Sequence, residues 1–217
     1  TPLYSSAASD VYKRQGINNV TIINNVGNSS ATRIGGLIAV ANGAIIENCF
    51  ATNVNIQTSN STYEGVGGLI GASEVKSTIQ NCYTTGKIEI EGDTVGGIIG
   101  YMTNYGKILN SYSYVDISGN TSKEGGVAGR VVQDSSVENN IAIGNLYTSK
   151  LNTEPQRIVG NGIVTNINYA YSNQRLNGII KEIREEKKSI RKSLGEVLKE
   201  NRLRCKMTQE FVSETLG

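Results

Sequence analysis

Glycine pairs recur at Gly35/Gly36, Gly67/Gly68, Gly96/Gly97 and Gly125/Gly126, 32, 29 and 29 residues apart, and each opens a short apolar run: GGLIA, GGLIG, GGIIG, GGVAG. A second motif keeps step behind the first as IENCFAT, IQNCYTT, ILNSYSY and VENNIAI. Its asparagines, Asn48, Asn81, Asn110 and Asn139, are spaced 33, 29 and 29 residues apart. Two motifs in phase over four copies constrain the fold more than any other feature. A period of this length means stacked units, each burying its apolar side only against its neighbours. A weaker copy, IVGNGIVTNINYAY, spans residues 158–171, and residues 17–26 resemble the latter half of a preceding one.

Each unit holds three pieces of strand length: the glycine-led run, the Ile-x-Asn run, and a third piece such as KIEI that alternates with period 2. Glycine and asparagine stand between them, where a chain bends and left-handed backbone is inexpensive. The expectation is a mainly β chain, a parallel β-helix (solenoid) of about 29–33-residue repeats, with rungs stacked ~4.8 Å apart. Stacking turns equivalent positions into ladders. The glycine pairs form one, and Asn48, Asn81, Asn110 and Asn139 form another at a turn. Cys49, Cys82, Ser111 and Asn140 become a column of small residues facing inward. Phe50, Tyr83 and Tyr112 lie beside it, either as a packing row or, if they face out, as a strip on which sugar rings stack.

The chain has no histidine, which removes zinc-peptidase helices and Ser/His or Cys/His nucleophile pairs from these 217 residues. Carboxylate chemistry is thinly provided as well. After residue 15, aspartate occurs only at Asp93, Asp116 and Asp134, and the one acidic cluster, Glu89, Glu91 and Asp93, reads as a solvated strand face. The expectation is no catalytic residues, no metal site and no cofactor. Cys49 and Cys82 read as small buried residues. The net charge of +2 argues for neither a nucleic-acid partner nor an anionic membrane, and no apolar run approaches the 18 residues of a membrane span.

GGLIG followed by IQNCYTTG resembles the GLUG-motif repeats of bacterial surface proteins, including regions ahead of the catalytic domain in immunoglobulin A-cleaving zinc metallopeptidases. The resemblance covers residues 17–178. It implies a non-catalytic repeat region outside the cell. In the first copy Ala39 replaces the final glycine, and VGNGIV breaks the glycine pair in the last.

Composition changes near Gly178. Residues 16–178 carry 9 Lys/Arg and 11 Asp/Glu, whereas residues 179–217 carry 10 and 7 in a quarter of the length, with only two of the 25 glycines. From Ile179 the apolar spacing turns helical, through Ile183, Ile190, Leu194, Val197 and Leu198. The predicted architecture therefore ends in a short α-helical tail over 179–217. Its SLGEVLKENRLRCKMTQEFVSETLG resembles the opening of phage-repressor-like (XRE) helix-turn-helix regulators. That resemblance implies backbone-phosphate contacts from Arg202 and Gln209, although the recognition helix would begin only after Gly217. At the other end, SSAASDVYKRQ resembles a transposase-type sequencing adapter translated in frame, so residues 1–15 are expected to be a disordered scar.

Three segments follow: 1–15, the repeats of 16–178, and the tail. The expected function is a non-catalytic structural or interaction module, a fragment of a cell-surface or secreted bacterial protein joined to a fragment of a cytoplasmic regulator. Its partner would be an unidentified surface protein or a glycan. Two alternatives stand beside it: a glycan-binding adhesin module using the aromatic row, and a DNA-binding regulator resting on the tail alone.

Overall fold

The computed structural model describes residues 11–24, 32–59, 63–162, 164–171 and 173–180. They wind into a solenoid with three sheets, parallel up to a last antiparallel pair. The first, a short face, stacks Val11–Lys13, Ile45–Glu47, Thr78–Gln80, Lys107–Leu109 and Ser136–Glu138. A second face begins after each glycine pair and stacks Ile38–Val40, Ile70–Ser73, Ile99–Met102, Ala128–Val131 and Val159–Gly162. The third is a 12-stranded sheet, whose central strands, Tyr83–Gly96 and Tyr112–Gly125, run 14 residues each. Val11–Lys13 pairs in parallel with Ile45–Glu47, so these three residues of the adapter-like segment 1–15 lie in the ladder.

Alternation decides which side chains fill the interior. On the short face Ile46, Ile79, Ile108 and Val137 are partners in successive rungs and fully buried. On the long sheet Ile56, Ile88, Ile117 and Leu146 do the same, with Leu176 below them. Branched aliphatics suit such columns because a pleated surface constrains them little, and each one buried contributes roughly 1.5–3 kcal/mol. Leu69, Ile98 and Val127, which follow the glycine pairs, fill a corner.

The uneven spacing of the repeats has a location. Phe50 partners Tyr83 at an offset of 33, Val54 partners Gly86 at 32, and Val66 partners Val95 at 29. One residue is taken up by the bulge between Thr84 and Gly86, opposite Asn53, whose φ is 51°. The other three fall between Thr58 and Val66. Both extra lengths therefore sit where they leave the columns aligned.

The C-terminal end differs from expectation. Ile179–Ile180, predicted to open a helix, is instead a strand antiparallel to Arg175–Leu176, with Leu176 opposite Ile179. Asn177 and Gly178 between them have φ of 50° and 78°. An Asn-Gly pair with both residues left-handed makes the two-residue hairpin turn whose twist matches the flanking strands. Gly178 is thus the turn of a hairpin, and the helical tail does not begin there. No helix occurs among the described residues, and the phage-repressor-like helix-turn-helix, with the chimeric regulator function drawn from it, has no support. The rest of that expectation, including Arg202 and Gln209, falls in residues 181–217, outside the described residues.

Candidate functional site

The corner after the short face is built by asparagine. Asn48, Asn81, Asn110 and Asn139 have φ of 56°, 55°, 50° and 55°, the left-handed region that asparagine tolerates better than other side chains. Their N–H groups donate to Gln80, Leu109, Glu138 and Ile167 in the next rung, at 2.6–3.2 Å. Asn139 Nδ2 also donates to Asn110 Oδ1 at 2.6 Å.

The residue after each corner faces inward, and Cys49, Cys82, Ser111 and Asn140 are all fully buried. Past the bend, the backbone N–H turns along the axis and must find an acceptor inside the core. Cys82 N–H donates to Ser111 Oγ (3.2 Å), Ser111 N–H to Asn140 Oδ1 (2.8 Å), and Asn140 N–H to Asn168 Oδ1 (2.9 Å). The polar column is an internal hydrogen-bond chain that terminates each rung on the next. Cys49 and Cys82 form no disulfide; the hydrogen bond with Cys82 outweighs burial and brings the Cys49 thiol from 9.0 down to about 7.

The glycine pairs have two roles. Gly35, Gly67, Gly96 and Gly125 are partners in successive rungs. A Cβ on any of them would meet the carbonyl oxygen three residues ahead at 2.0–2.2 Å. The second glycines pack along the axis. A Cβ on Gly36, Gly68 or Gly97 would lie 2.2–2.3 Å from the carbonyl oxygen of the next glycine in the column, and one on Gly126 would lie 2.3 Å from that of Arg157. Close approach, rather than left-handed backbone, is what excludes a side chain here.

Phe50, Tyr83 and Tyr112 stand side by side in register. Their neighbours Cys82 and Thr84 are buried in the core, so alternation points Tyr83 outward. The Phe50 and Tyr83 rings stack at 5.2 Å with planes 14° apart. The other side of Phe50 lies against Gly16, where a Cβ would come within 2.1 Å of the ring. Tyr112 is 1% exposed, packed with Ile141 and Ile143 beneath Tyr114, Tyr169 and Tyr171. Burial pushes its phenol up in pKa. Sugars stack on open ring faces, and the faces that Phe50 and Tyr83 turn to each other are covered.

Among the described residues no three His, Cys, Asp or Glu side chains gather to hold a metal. The acidic cluster divides. Glu89 and Glu91 are exposed along a shallow groove with Gln57, Asn120 and Ser149. Asp93 instead pairs with Lys123; burial raises its pKa, but the Lys123, Ser122 and Thr94 contacts bring it below the ordinary value. Glu124 is buried among aliphatics, and desolvation raises its carboxyl from 4.5 to about 7 against the opposing hydrogen bond from Thr121 Oγ1.

A depression of about 260 Å³ opens where the glycine-led face meets the long sheet, lined by Glu74, Asp93, Thr94, Tyr101 and Arg130. Sequence reading missed it. Its residues come from three rungs and different phases of the repeat, so no motif joins them.

The fold defines the class: a parallel β-solenoid of in-register rungs. The family model described as "The GLUG motif" matches residues 30–57 and 62–89, the first two full copies. A crystal structure of a protein from Bacteroides ovatus, provisionally described as an immunoglobulin A1 protease, is similar at 25% identity and a TM-score of 0.49, covering 73% of this chain and 50% of that one. The chain thus spans about half the length of that protein. No curated protein matches.

Proposed function

We propose that this chain is a non-catalytic spacer, the part of a bacterial surface or secreted protein that carries another domain away from its point of attachment. The observation that carries the reading is the parallel rung-to-rung pairing that, among the described residues, recurs from Val11 to Leu176. Each turn adds about 4.8 Å of length by contacting only its neighbours, which is how a short repeat makes a stiff extension. The GLUG-motif match supports an exterior setting.

The test is accessibility in the source cell. Antibody raised against the repeats should label intact cells or the spent medium, and an impermeant protease added outside should remove the cell-bound signal. Signal that stays protected until the cells are lysed would overturn the exterior assignment.

A further inference from the structure

The charges around the depression do not balance. Glu74 is paired with Arg33, and Asp93 with Lys123, so each wall carboxylate already has its own cation. Arg130 remains. Its guanidinium lies over the Tyr101 ring at 5.6 Å from the centroid, the two residues being partners in adjacent strands of the glycine-led face. Among the described residues it has neither an ion-pair partner nor a hydrogen bond, and its Nε is buried without an acceptor.

Stacking on a ring satisfies only the face of a guanidinium. The five N–H donors lie in its plane, and a buried Nε–H without an acceptor is the kind of unsatisfied group that a bound anion explains. A planar carboxylate matches the fork with two parallel hydrogen bonds. The walls narrow the choice further. Glu74 and Asp93 retain lone pairs that accept from hydroxyls, while their negative charge disfavours a ligand of high anionic charge. The volume admits a single sugar ring rather than a long segment.

We propose that this depression binds an acidic sugar, a uronic-acid unit, with its carboxylate on Arg130 and its hydroxyls on Glu74 and Asp93. The site goes beyond the spacer function and stands or falls separately from it. Glucuronate titrated into the full chain and followed by amide chemical shifts should perturb residues around Tyr101 and Arg130. Glucose and acetate, each offering half of the recognition, should bind more weakly by about tenfold or more. Arg130→Gln should lose glucuronate binding to the same degree, while Arg130→Lys keeps the charge without the fork and should fall between. The wild-type comparison of the three ligands holds even if a variant misfolds. Acetate or an N-acetylated glutamate binding as well as glucuronate would overturn the sugar assignment, and absence of shifts at millimolar glucuronate would overturn the site.

Discussion

Glu124 stands in a column that earlier rungs fill with Ile34, Val66 and Val95. Thr121 Oγ1 bonds one carboxyl oxygen and the other is buried without a partner, so the neutral acid is the form that the site accepts. Its pKa is about 7 in the fold against an ordinary 4.5. Below pH 4.5 both states carry the proton and there is no penalty. Between 4.5 and 7 the unfolded chain releases it while the folded chain keeps it, so stability falls as pH rises, by roughly 3 kcal/mol in all, and then levels off. Urea midpoints measured from pH 4 to 8 should show this decline for the wild type. Glu124→Gln, which cannot ionise, should remove that part of the pH dependence and be the more stable chain at pH 8. Unchanged pH dependence in the variant would place the titration elsewhere. At this scale legibility in the sequence varied with repetition: the left-handed corners could be read because asparagine recurs at all four, whereas Glu124 occupies an aliphatic position in one rung only and nothing in its local sequence marks it as buried.

Elements depend on the glycines through contact. Gly97 is confined by Ser113 Oγ, 1.9 Å from where a Cβ would stand, and by the Gly126 carbonyl oxygen at 2.3 Å. The oxygen belongs to the backbone of the next rung and cannot swing aside as a side chain could. Gly97→Val should therefore cost about 4 kcal/mol, at the exceptional end for point changes, whereas Lys107→Ala on an exposed face should stay within about 0.5. Denaturant unfolding of both variants checks this, and equal losses would contradict the close-packed column. The glycine-led strands were legible because two phased motifs bounded each repeat. The final hairpin was not, although its Asn177-Gly178 signal is strong, because isoleucines spaced beyond it gave a helical period that drew Ile179 to the wrong element. Here the Asn-Gly turn signal outweighs periodicity that starts after it.

For the whole molecule, period alone foretold the solenoid, since units of this length have few other ways to bury their apolar sides. The direction and covering of the aromatic row were not foretold. They depend on which ring faces the neighbouring rungs close, through Gly16 on Phe50 and the tyrosines over Tyr112. The depression around Arg130 escaped for a related reason: Tyr101 and Arg130 share one position of the repeat, but Glu74, Asp93 and Thr94 come to it from other positions. The account rests on rungs stacked in parallel and in register, and spacing along the axis tests that most directly. Ile45, Thr78, Lys107 and Ser136 are successive partners on the short face. Nitroxide labels placed pairwise at these sites, in a chain with its native cysteines replaced, report distances by electron paramagnetic resonance. The stack predicts separations rising by one rung at a time, about 10 Å for 45 with 107 and about 14 Å for 45 with 136. Separations that fail to increase in that order, or labels at 45 and 136 beyond about 25 Å, several times one rung, would contradict it.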